Sequence, residues 1–364
     1  MDKYFDLVNK FDLKGTPEGI APLGAGHIND SFRVKTKEAD APDYLLQRIN
    51  HAIFKDVELL QNNIQHVTNH IRKKLRAKGE TDIERKTLTI IPTKSGKLFH
   101  FDGENYWRLY LFISGGKGYD SISPELANEA GKAFGEFQGY LADIPEKIEE
   151  TIPNFHNMEF RLEEFREALK NDKAGRVAAN QGIIKEIESR AEEMCKANRL
   201  NREGKLPKRI NHCDTKVNNV LFGEDGKILC VVDLDTVMPG FVLSDFGDFI
   251  RTGANTGDED DADLNKVGVN LAIFEAYTRG YLETAKSFLL PIEIENLPFG
   301  ARLLTYMQTV RFFTDYLNGD TYYKIHSPEH NLQRTKAQLK LLQSLELNEG
   351  KMAAIVKECT TGRK

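Results

Sequence analysis

The chain has 364 residues, 50 Lys and Arg against 55 Asp and Glu, a net charge of -5 and four cysteines. That length supports a full core in two lobes, and the slightly acidic balance excludes the basic footprint of a nucleic-acid binder. No run approaches a membrane span, the charged start Met1-Asp2-Lys3 lacks the apolar core of a signal peptide, and Cys195, Cys213, Cys230 and Cys359 form no Cys-x-x-Cys pair. The expectation is a cytoplasmic protein with reduced thiols, acting on a small molecule as a monomer or simple homo-oligomer.

Strand-like alternation marks 30–36, 44–49, 87–92, 97–101 and 106–112. Between the second and third of these, Val57, Leu60, Ile64, Val67, Ile71 and Leu75 recur every three or four residues until Gly79, which predicts one long amphipathic helix. Just before the first strand, Gly24 and Gly26 give the backbone the freedom to approach phosphates, although Gly-x-Gly alone is a weak signal. Ser114-Gly115-Gly116-Lys117-Gly118 reads as a hinge. Beyond it the pattern turns helical, beginning with Leu126, Ala130, Ala133, Phe134, Phe137 and Leu141. The organisation expected is an N-terminal nucleotide-binding lobe over 1–113, a hinge over 114–122 and a C-terminal catalytic and substrate-binding lobe over 123–364.

The most informative stretch interrupts the helical half. Asn211-His212-Cys213-Asp214-Thr215-Lys216-Val217-Asn218-Asn219 is followed by an apolar run, a Gly-Glu-Asp-Gly turn and a second apolar run ending at Asp233. Phosphoryl transfer needs a carboxylate for the attacking hydroxyl, oxygen ligands for Mg²⁺ and positive charge beside the phosphate. Asp214 is the candidate base, Lys216 the cation, and Asn219 and Asp233 the metal ligands, since a hairpin returns both to one end. The His-x-Asp-x-x-x-x-Asn interval matches the catalytic loop of protein kinases, although a capped turn beside a buried strand uses similar residues. Asp245-Phe246-Gly247 spells another kinase motif but follows a Met-Pro-Gly loop rather than a strand. Asp245 is therefore read as a helix start or a buried carboxylate bracing the catalytic loop. Cys213 reads as a small buried thiol, and Asp258 to Asp263 as a solvated helix start.

A small β-rich lobe, a glycine hinge and a helical lobe with this hairpin predict an α+β, bilobal protein-kinase-like fold. No P-loop signature occurs. The chain resembles the aminoglycoside-phosphotransferase-like small-molecule kinases, and within them the bacterial N-acetylhexosamine 1-kinases. The likeness runs nearly end to end through residues 24–29, 44–50, 212–219, 232–240, 244–248, 311–323 and 328–332. It implies ATP- and Mg²⁺-dependent phosphorylation of the anomeric hydroxyl of N-acetylglucosamine or N-acetylgalactosamine. It also implies Asp214 as base, Asn219 and Asp233 as magnesium ligands, and His27, Asn29, Asp214, Arg311 and Tyr322 at the sugar. The alternatives are that His27 braces the glycine loop, Arg311 pairs with Asp315 and Tyr322 packs. One departure stands out: the strand position that carries the phosphate-binding Lys in protein kinases reads Gln47-Arg48, and Arg48 or Lys216 is left to supply that charge. A kinase of the same fold for homoserine, choline or an aminoglycoside, and a nucleotide-binding pseudokinase, are the competing readings.

Overall fold

The computed structural model describes residues 2–24, 28–119 and 121–361. Its main sheet is antiparallel. Strands β1 (Pro17–Pro22), β2 (Asp30–Thr36), β3 (Tyr44–Ile49), β4 (Ile90–Ile91), β5 (His100–Phe101) and β6 (Tyr106–Leu111) pair in the order β1-β2-β3-β6-β4, with β5 also on β6. Side chains alternate between faces of a strand. On one face Val34, Tyr44, Leu46, Trp107 and Leu109 pack with Leu7, Val8 and Phe11, supplied by helix α1 (Asp2–Val8) and the turn after it. The opposite face carries a polar row, because Ser31 pairs with Gln47 and Gln47 with Arg108 in the strand register.

Helix α2 (Val57–Ala77) starts where the Asp56 carboxylate accepts the Leu59 N–H, the usual N-cap device. It buries the expected stripe of Val57, Leu60, Ile64, Val67, Ile71 and Leu75. The strand expected over 87–92 shrinks to β4 because helix α3 (Ile83–Lys86) precedes it. The one expected over 97–101 keeps only β5, because Thr93 to Lys97 closes a turn with the Thr93 N–H on the Lys97 carbonyl. Strand β1 escapes sequence patterning because Pro17, Gly19 and Pro22 break it; at the sheet edge a proline forfeits no ladder bond.

The chain divides into two compact units that are not contiguous in sequence. The first comprises Met1–Gly118, Asp143–Pro153 and Val220–Met238, and the second Tyr119–Ala142, Asn154–Asn219 and Pro239–Lys364. The hairpin of Val220–Phe222 and Ile228–Val231 thus belongs with the sheet, not with the helical half as expected. The glycine segment is less free than a hinge. Lys117 exchanges both backbone hydrogen bonds with Phe222 of that hairpin, at 2.8 and 2.9 Å.

The second unit is helical. Helix α4 (Pro124–Leu141) lies against Leu271–Ala285 so closely that a Cβ on Gly280 would come within 1.9 Å of the Asn128 carbonyl oxygen. The helices Val242–Gly253 and Leu297–Leu317 cross with equal intimacy, since a Cβ on Gly247 would meet the Gly300 carbonyl oxygen at 2.1 Å. Glycine at these crossings removes the side chain that holds most helix pairs 8–10 Å apart. The acidic run 258–263 is not a helix start. It forms turns tied down by the ion pair of Glu259 with Arg251 and a hydrogen bond between Asp260 and the His330 ring. No helix of the described residues is long and apolar enough to cross a membrane.

Candidate active site

Asp214 sits on a loop whose backbone is gripped by Asp245. That carboxylate accepts the N–H groups of His212 and Cys213 and the Gln138 amide, each at 2.8 Å. Tyr281 in turn donates to Gln138 at 2.6 Å. The Thr215 hydroxyl donates to the Asp245 carbonyl at 2.5 Å. His212 is buried edge-on against Phe134 and Phe137, with ring centroids 5.7 Å away in both cases. Burial pushes the Asp245 carboxyl above its usual range, against the His212 ring and its three donors. Asp245 is therefore the brace of the catalytic loop, one of the two roles expected for it, within the helix Val242–Gly253. Cys213 is a buried thiol, and its residue takes a left-handed φ of 62°. The loop turns at this point, just before Asp214.

The Asp214 carboxylate is clamped on both oxygens. Lys216 Nζ lies 2.9 Å from Oδ1, and Asn219 Nδ2 donates to Oδ2 at 3.0 Å and to the Asp214 carbonyl at 2.8 Å. Burial raises the affinity of Asp214 for a proton, but Lys216, His212 and Asn219 outweigh it and hold the carboxyl below the usual range. Lys216 is raised in return, chiefly by Asp214. A carboxylate this firmly ionised could serve as a base only late in a reaction, as a loose phosphoryl-transfer transition state allows. Among the described residues the side-chain hydrogen bonds of Asn219 run through Nδ2, so its Oδ1 is an acceptor suited to a hard cation.

Asp233 follows the hairpin, two residues beyond the pair Val220–Val231, and takes a left-handed φ of 59°. Such a conformation costs a non-glycine residue about 1–2 kcal/mol and persists where the surroundings enforce it. The turn that Asp233 opens is held through Asp235. Arg108 Nη1 and Nη2 donate to its two oxygens at 2.6 and 2.9 Å, Asn29 Nδ2 donates to Oδ2 at 2.7 Å, and Thr151 Oγ1 donates to its carbonyl at 2.9 Å. Arg108 and Asp235 went unnoticed in the sequence reading. A signal was present, since a lone Arg within Tyr-Trp-Arg-Leu-Tyr-Leu is out of place in a buried strand unless paired.

Of the other residues singled out, Gly24 has a φ of 68° with open space where a Cβ would stand. Gly26 and His27 lie outside the described residues. Asn29 is buried and committed to the protein, donating to Asp235 and accepting the Asn50 N–H. Arg48 is an exposed side chain paired with Asp30. Arg311 does not pair with Asp315, whose carboxylate instead receives the N–H groups of Thr321, Tyr322 and Tyr323 and so fixes the loop bearing Tyr322. The Arg311 guanidinium donates to Gln308 at 2.8 Å and faces the rings of Phe155, Tyr322 and Tyr323 at 5.0–5.8 Å. Arg311, Tyr322 and Tyr323 line a cavity of about 370 Å³ together with Arg161 and Asn318.

His156 stacks on Phe155 at 4.6 Å, and its Nδ1 is sealed from solvent with no hydrogen-bond partner among the described residues. Burial, then the Arg311 and Arg161 charges, lower it from 6.5 to about 3. The folded protein therefore refuses a proton that the unfolded chain takes up below pH 6.5, so stability is lost as pH falls from 6.5 towards 3. The Tm of His156→Asn is expected to fall less steeply across that window than the wild-type Tm. Parallel curves would show that His156 titrates normally.

A family model described as the phosphotransferase enzyme family matches residues 19–283, well over half of the chain. The chain belongs to that family. It is accordingly a phosphoryl-transferring enzyme of the protein-kinase-like fold. Among solved structures, an aminoglycoside phosphotransferase from Alicyclobacillus acidocaldarius is similar at 13% identity and a TM-score of 0.60, over 97% of this chain and 96% of that one. A spectinomycin phosphotransferase in complex with ADP and its antibiotic matches at 14% identity and a TM-score of 0.60, over 96% and 98%. A choline kinase from Cryptosporidium parvum matches at 13% and 0.59, over 93% and 92%. At these identities the likeness is one of fold. Arg311 and Tyr322 lie beyond the stretch that the family model covers.

Proposed function

We propose that this enzyme is an ATP- and magnesium-dependent small-molecule kinase that phosphorylates the anomeric hydroxyl of an N-acetylhexosamine. Asp214 orients that hydroxyl and accepts its proton, Lys216 stands beside the transferred phosphoryl group, and Asn219 and Asp233 hold the metal. Each of the two is chemically suited to a hard cation, Asn219 through its Oδ1 and Asp233 through a carboxylate on a left-handed turn. When bound, magnesium neutralises charge on the phosphate oxygens.

The observation that carries the choice of acceptor is Arg311. Its guanidinium meets a neutral amide and three aromatic rings rather than an acid. The cavity it lines also carries Glu164, Glu167 and Asp315, so the choice rests on hydrogen bonding: the Arg311 donors suit the hydroxyls and N-acetyl carbonyl of a neutral sugar. The pseudokinase reading is disfavoured by the clamp on Asp214, because a module that only binds nucleotide has no use for an oriented base. Incubation with ATP and Mg²⁺ across free sugars, choline, homoserine and aminoglycosides tests the proposal. With N-acetylhexosamines the product phosphorus signal is expected to couple to the anomeric proton. Coupling to the two C6 protons, or turnover with a non-sugar alcohol only, would replace this reading by that of another kinase of the same fold.

A further inference from the structure

We infer that Arg108 is a positioning residue for phosphoryl transfer, setting the metal carboxylate Asp233 through a buried pair with Asp235. The inference rests on the magnesium role proposed for Asp233.

Sequence alone directs attention to the strand position where protein kinases carry a lysine, occupied here by Gln47. The sheet register brings the missing cation in from the next strand, since Gln47 on β3 stands opposite Arg108 on β6. Arg108 Nε donates to Gln47 Oε1 at 3.0 Å, and Gln47 Nε2 donates to the Ser31 hydroxyl at 2.9 Å. A row of three side chains across β2, β3 and β6 thus holds the guanidinium from behind. In front, both nitrogens of its fork are spent on Asp235. At 1% exposure and with this bidentate partner, Arg108 is not placed to receive phosphate from solvent. Its work is inward.

That work is mechanical. Asp235 lies two residues after Asp233, in the short helical turn Leu234–Thr236 that Asp233 opens in a left-handed conformation. The Asp235 carboxylate is gripped by Arg108 and Asn29 and its carbonyl by Thr151, so the turn is bolted to the sheet at its second acid. A planar fork fixes a carboxylate in angle as well as distance, which a lysine ammonium cannot do. The Asp233 side chain inherits that orientation through two peptide units. Asn29, singled out at first for substrate, is on this reading a member of the same brace.

The test uses the full-length protein loaded with ADP, with Mn²⁺ in place of Mg²⁺. Free Mn²⁺ is read by electron paramagnetic resonance and Tm is measured alongside. Arg108→Lys retains the charge but loses the fork, and is expected to weaken Mn²⁺ binding at least about tenfold, the size of effect seen when groups behind a metal ligand are removed. The double variant Arg108→Met with Asp235→Leu replaces the ion pair by apolar packing, a change that often preserves stability. It should keep a Tm near wild type and still bind Mn²⁺ at least tenfold more weakly. Affinity within twofold of wild type in Arg108→Lys, or in a folded double variant, overturns the inference. Asp233→Asn is the control. If it too leaves Mn²⁺ affinity unchanged, the metal role of Asp233 has failed; if it alone weakens binding, only the role of Arg108 has.

Discussion

Asp214→Ala is expected to lower kcat by about 10²–10⁴-fold while nucleotide still binds, the range that positioned acid–base groups contribute. That loss corresponds to about 2.7–5.5 kcal/mol of barrier. Alanine also leaves Lys216 without its partner at 2.9 Å, so Asp214→Asn is the companion variant, since it keeps the shape and an oxygen for the Asn219 amide. Both should lose turnover to a similar degree although their stabilities differ. Steady-state kinetics with the best acceptor, alongside ADP affinity by calorimetry, checks this. Near-normal turnover in either variant would remove Asp214 from the proton transfer.

Asp233→Asn should raise the Mg²⁺ concentration for half-maximal activity by at least about tenfold, because a neutral amide is a poorer ligand for a hard cation than a carboxylate. Backbone strain is not a confounding cause. Asn tolerates left-handed φ better than most residues, so the 59° of this position is preserved. Asp245→Asn makes the contrast. It replaces one acceptor of three N–H donors by an amide, costing about 1.5–3 kcal/mol of stability as bonds to a charged group are lost. Its Tm should drop with the Mg²⁺ requirement unchanged. Were the requirement to follow Asp245 and not Asp233, the metal assignment would pass to the wrong-looking motif after all.

Residues acting through local spacing were legible before any coordinates. The Asp214 to Asn219 interval and the hairpin around Gly223 to Gly226 both depend on neighbours close in sequence or on a short apolar pattern. The partners that hold them were not. Arg108 and Asp235 are 127 residues apart and Asn29 and Asp235 206, and nothing in a strand pattern says which charge it will meet. Asp315 misled for the opposite reason. Its spacing from Arg311 suggests a helical pair, but three loop N–H groups offered it more hydrogen bonds than one guanidinium. The acidic run 258–263 reads as solvated because charge density ordinarily means water, whereas Glu259 pairs with Arg251 and Asp260 hydrogen-bonds the His330 ring, each on another element.

The crossing at Gly247 and Gly300 has a bearing on the base itself. Asp245, which grips the backbone of residues 212 and 213, rides on the same helix as Gly247, little more than half a turn away. The location of Asp214 is therefore measured from a contact between two helix backbones in which no side chain intervenes. Rotamer changes in the surrounding core have little lever there, and the loop, irregular as it is, takes its coordinates from a close helix junction of its unit. In such a design drift in the neighbouring sequence leaves the Asp214 carboxylate where it stands.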